Sequence, residues 1–76
     1  MAIFVVKDSG LIQTGRLPSG DMTVSHTGSG RVFEVVNASC YSARGHWKPE
    51  YRNWIIFAKF ADEVLAEFDA VAEQIS

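Results

Sequence analysis

Seventy-six residues, 47% of them hydrophobic and 12% aromatic, make one small globular domain over 1–76 and exclude wholesale disorder, although so short a chain lies near the lower size limit for a self-sufficient core. One cysteine and two histidines exclude an internal disulfide framework and fall short of a structural zinc set, so neither a metal nor a cofactor is expected. The formal net charge of −2 conceals a division: up to Phe60 there are seven basic residues against four acidic ones, and from Ala61 onward five acidic and none basic. On such a bipolar surface the basic part can meet phosphate, while net acidity weakens long-range attraction to nucleic acid.

The opening run Ala2-Ile3-Phe4-Val5-Val6 is too short for a membrane span and has neither the basic start nor the cleavage pattern of a secretory leader. With the lone Cys40, this fits a reducing, cytoplasmic setting without a membrane partner. Ile3–Lys7 reads as a buried strand ended by Asp8-Ser9-Gly10. Leu11–Gly20, with two glycines and Pro18, reads as a loop holding at most a short extended piece at Leu11–Thr14. Asp21–His26 and Arg31–Val36 are strand-like, and Thr27-Gly28-Ser29-Gly30 is a hairpin loop between them rather than a phosphate loop, for which the lysine is missing.

Asn37–Arg44 is expected to form one or two helical turns, capped by Asn37 or Ser39 and stopped by a left-handed Gly45. His46-Trp47-Lys48, a turn over Pro49–Arg52, and Asn53–Phe57 form a tight ribbon whose second arm is a core strand. Over Lys59–Ile75 the residues Phe60, Val64, Leu65, Phe68, Val71, Ala72 and Ile75 recur at helical spacing, with Asp62 and Glu63 placed to complement the helix dipole. The fold class is therefore α+β: a small, mainly antiparallel sheet of Ile3–Lys7, Asp21–His26, Arg31–Val36 and Trp54–Phe57, packed against one C-terminal amphipathic helix. Such a sheet has a second face to cover, and a homodimer formed through that face or an edge strand would do so.

Both tryptophans and both tyrosines fall within Cys40–Phe60, the stretch around which basic residues gather. Its ribbon resembles the G-x-W-(N/D)-P-x-x-(K/R)-x-W-x-(F/V) hairpin of HARP-like modules found with helicases, primases and plasmid proteins. Gly45, Trp47, Pro49, Arg52, Trp54 and Phe57 match that pattern, whereas His46 stands at a usual second glycine. The resemblance implies a module that handles nucleic-acid structure. By their chemistry, Trp47 and Tyr51 offer stacking surfaces, while Arg44, His46, Lys48 and Arg52 surround them with groups that attract phosphate. Packing alone also makes tryptophan-turn-tryptophan ribbons, and Trp54, which opens an apolar strand, reads as a core residue.

Two readings of function follow. In the first, a non-enzymatic accessory protein binds DNA or RNA structure through the 44–54 ribbon. In the alternative, a small phage or mobile-element protein docks on a host nucleic-acid-processing complex, with Asp62, Glu63, Glu67 and Glu73 imitating phosphate. No catalytic set supports an enzyme: Cys40 with His26 or His46 has no third orienting group, and a buried apolar thiol is the better reading of Cys40.

Overall fold

The computed structural model describes residues 1–76. The chain runs β1 (Ala2–Val6), β2 (Gly10–Arg16), β3 (Met22–His26), α1 (Arg31–Ser42), β4 (His46–Lys48), β5 (Asn53–Ile56), α2 (Ala58–Val71) and β6 (Glu73–Gln74). The strands make one sheet in the order β4-β5-β3-β2-β1-β6, with every neighbouring pair antiparallel. The fold is thus α+β, a two-layer sheet and helix arrangement. No helix is long and apolar enough to cross a membrane.

Side chains alternate across a strand, so the register divides the sheet into two faces. Phe4, Val6, Ile12, Met22, Val24, Trp54 and Ile56 point to one face and are all buried. Against them pack Val32, Val36 and Cys40 of α1 and Ala61, Val64 and Phe68 of α2. Phe68 meets Phe4 edge to face, with ring centroids 5.8 Å apart. Only 16 of 76 residues are buried, so each core side chain carries a large share of stability, and a Phe→Ala change here costs about 3–5 kcal/mol. The opposite face has no helix over it.

Several expectations need correction. Arg31–Val36 is helix, not strand, because Val32, Val36, Ser39, Cys40 and Ala43 fall on one helical face and are buried together. Burial of that stripe outweighs the β preference of its valines. The sheet therefore carries two helices, and Asn37 and Ser39 lie inside α1 rather than at a cap. Leu11–Gly20 is mostly not loop: β2 extends through Arg16 because β1 and β3 supply hydrogen-bonding partners on both sides, burying Ile12 and Thr14.

Gly45 is not the left-handed stop; Arg44 is, at φ 59°. The N–H of Arg44 donates to the Tyr41 carbonyl at 3.1 Å and that of Gly45 to the Cys40 carbonyl at 2.8 Å, a Schellman ending with arginine where glycine is usual. Gly45 is needed for close approach instead, since a Cβ there would lie 2.6 Å from Ile56 Cδ1.

The C-terminal helix also ends earlier than its stripe implies. Ala72 is extended, and Glu73 and Gln74 pair with Val5 and Phe4 along the otherwise open edge of β1. Val71 and Ile75 are consequently exposed, outside the core. The first turn of α2 has no acidic residue, so Asp62 and Glu63 lie beyond the turn in which a charge complements the helix dipole.

Both helices borrow their N-terminal caps from the sheet's turns. Ser9 Oγ, in the β1–β2 turn, accepts the Val32 N–H at 2.8 Å and donates to the Ser29 carbonyl at 2.6 Å. Asp21 Oδ1, just before β3, accepts the Ala58 N–H at 3.0 Å. These satisfy helix-end donors that the local residues, Gly30 and Phe57, leave without a side-chain partner. Gly28, at φ 87°, lets the β3–α1 loop pass the Ser9 backbone so closely that a Cβ would sit 2.2 Å from the Ser9 carbonyl oxygen.

Candidate nucleic-acid interface

The β4–β5 ribbon forms as the sequence implies, but its two sides carry different chemistry. Trp47 pairs with Trp54 across the strands, and their rings meet edge to face at 5.8 Å. Trp54 is in the core, whereas Trp47 remains 47% exposed at the free edge of the sheet, on the side where α1 packs. His46 and Lys48 point the other way. His46 meets Phe57 edge to face at 5.7 Å, and Lys48 shares a shallow groove with Tyr51, Leu17, Thr23, Asn53 and Ile55. Trp47 and Tyr51 therefore do not form one stacking platform: Trp47 faces the α1 side, whereas Tyr51, in the turn after β4, lines the groove with Lys48 on the opposite face.

What joins Trp47 comes from α1. Phe33, Asn37 and Tyr41 recur every fourth residue along the helix and, with His26, Trp47 and Trp54, line a cleft of about 440 Å³. Its walls are aromatic: His26 meets Phe33 edge to face at 5.9 Å, and Tyr41 and Phe33 are both exposed at its rim. Two polar groups accompany them. Asn37 is half-buried, and His26 Nδ1 is buried without a hydrogen-bond partner from the protein. An apolar, π-faced slot with a few convergent polar atoms suits a flat, hydrogen-bonding ligand.

The basic residues stand at the ends of the ribbon. Arg44 precedes β4 and Arg52 precedes β5, both exposed and both with left-handed backbone, at φ 59° and φ 52°. Asp8 is the remaining non-glycine residue in that region. Such positions favour glycine or asparagine, and a long side chain there carries a steric cost of about 1–2 kcal/mol. Two of three such positions thus hold arginines that flank the strand bearing Trp47.

The acidic candidates divide as well. Asp62, Glu63 and Glu67 are exposed on α2, and Asp62 makes a loose 3.7 Å ion pair with Arg16 that exposure renders nearly worthless. Glu73 is not on the helix but in β6. Cys40 is fully buried on the inner face of α1, and burial, helped by the negative charge of Glu67, pushes its thiol from 9.0 up to about 12. It lies apart from the cleft and is chemically quiet.

Of the binding residues expected from the sequence, Trp47 lines the cleft and Arg44 and Arg52 stand at the ribbon's ends; His26, Phe33, Asn37 and Tyr41 were not among them. The spacing of positions 33, 37 and 41 was the available signal, hidden by reading Arg31–Val36 as a strand. No family model matches the chain, and neither a curated protein nor a solved structure matches it significantly.

Proposed function

We propose that the protein is a non-enzymatic binding module for unpaired nucleic acid, taking a base into the cleft between α1 and the ribbon. The base stacks on Trp47 beside Tyr41 and Phe33, with Asn37 and His26 Nδ1 available to its hydrogen-bonding edge. Arg44 and Arg52 receive the phosphates on either side. Each base stacked on an aromatic ring contributes about 1–3 kcal/mol, and the arginines make affinity fall with salt. Lys48 and Tyr51, on the opposite face, stand outside this set. The observation that carries the reading is the pair of arginines held in costly left-handed backbone beside a half-exposed tryptophan, since strained positions persist where the side chain has a use. The resemblance of the ribbon to HARP-like hairpins agrees with it.

The test is a tryptophan-fluorescence titration with single-stranded, forked and duplex DNA and with RNA, at about 50 and about 200 mM salt. Saturable quenching by the unpaired forms, weaker at the higher salt, is expected. Trp47→Ala should reduce affinity by about 1–3 kcal/mol while the far-UV circular dichroism stays that of the parent. No response at the lower salt rejects the reading.

A second reading, phosphate mimicry toward a basic protein surface, is favoured by the exposure of Asp62, Glu63 and Glu67 on a helix with no lysine or arginine after Lys59. It predicts no nucleic-acid response at any salt and a partner interaction lost in the Glu63→Gln, Glu67→Gln variant.

A further inference from the structure

We propose that the helix-free face of the sheet is the interface of a homodimer whose two-fold axis runs along the strands. This face has two apolar clusters: Ile3, Val5 and Leu11 toward the β6 side, and Leu17, Tyr51 and Ile55 toward the β4 side. Between them lie only uncharged groups, Gln13 and Ser25, which face each other across β2 and β3. Charge appears at the margins: Lys48 on β4 at one edge, and at the other Glu73 on β6, with Lys7 in the turn after β1.

That distribution is self-complementary for one symmetry. An axis along the strands lays the β4 side of one copy over the β6 side of the other, so each apolar cluster covers its counterpart. The same rotation brings Lys48 of each copy toward Glu73 of the other, twice. An axis across the strands would instead stack Lys48 on Lys48 and Glu73 on Glu73, where like charges repel.

The size suits a weak, concentration-dependent association. Twenty-six strand residues, each spanning about 3.3 Å by about 4.8 Å, give a face of about 400 Å² in projection. Two such faces come to about 800 Å², below the standard interface size. The aligned face-to-face packing of two sheets is a standard arrangement, and a chain with 16 buried residues gains core by it. The aromatic cleft lies on the other side of the sheet and stays open, so this assembly is independent of what the cleft binds.

Sedimentation equilibrium from low to high micromolar concentration tests the proposal. The parent should dimerise, and Val5→Arg should sediment as a monomer with unchanged far-UV circular dichroism. Charge reversal provides a readout that does not depend on tolerance of the apolar change. Lys48→Glu and Glu73→Lys should each weaken the dimer several-fold, and the double reversal should restore it. A monomeric parent at high micromolar concentration, whether the face is then bare or meant for another partner, overturns the proposal. A Val5→Arg dimer, or single reversals that the double variant fails to rescue, overturns it equally.

Discussion

A glycine at position 44 would enter the left-handed region without the clash that the arginine Cβ meets there, while keeping the two backbone hydrogen bonds that end α1. Against that gain stands the larger conformational freedom of glycine in the unfolded chain. The expected net effect of Arg44→Gly is about 0.5–1 kcal/mol of added stability, read from the urea midpoint. The same change removes a phosphate contact from the proposed site and should reduce the slope of log affinity against log salt by about 1. A variant more stable than its parent yet poorer at binding distinguishes a side chain kept for use from one kept for folding. Cys40 gives a residue-scale prediction about pH. Its folded pKa, about 12, lies above the ordinary 9.0, so the stability linked to the protonated buried thiol is fully present below pH 9.0 and is lost as pH rises through about 12. Cys40→Ala should flatten that alkaline decline in a pH series of thermal melts. In the native parent, iodoacetamide at about pH 8 should leave the thiol unmodified, and denaturant should expose it to complete labelling, as mass spectrometry would show.

The helices depend on groups outside themselves. Ser9→Ala leaves the Val32 N–H without its acceptor, and Asp21→Ala does the same for Ala58. Each should cost about 1 kcal/mol, equivalent to about 4–8 °C in Tm for a domain of this size. The two sites share no partner, so the losses should add in the double variant. This reliance also explains why α1 was hard to read. Its sequence begins without a local cap, and Arg31-Val32-Phe33-Glu34-Val35-Val36 is rich in β-branched residues. The helical period becomes visible only when Ser39, Cys40 and Ala43 are counted with the valines. In contrast, α2 was legible because Phe60, Val64, Leu65 and Phe68 repeat over several turns. Its end was not, since no glycine or proline marks it; the open edge of β1 draws Glu73 and Gln74 into the sheet.

For the molecule as a whole, the α+β class, the outer arms β1 and β3 and the tryptophan ribbon were legible, because apolar runs and turn residues are local signals. The central strand β2 was not: Gln13, Thr14 and Gly15 become a strand through neighbours distant in sequence. The candidate site was half legible for the same reason. Arg44, Trp47 and Arg52 lie close together in the chain, whereas the cleft joins Trp47 to His26 and to a helix face that only folding brings near. The borrowed caps have a consequence for the order of events. Neither helix can secure its first turn until the corresponding turn of the β1–β2–β3 meander has formed, so the meander is the part expected to organise first. Once formed, helix and meander open together. Amide protons at Val32 and Ala58 should therefore exchange by the same large-scale opening that frees the sheet, and not by the independent fraying that helix ends usually undergo.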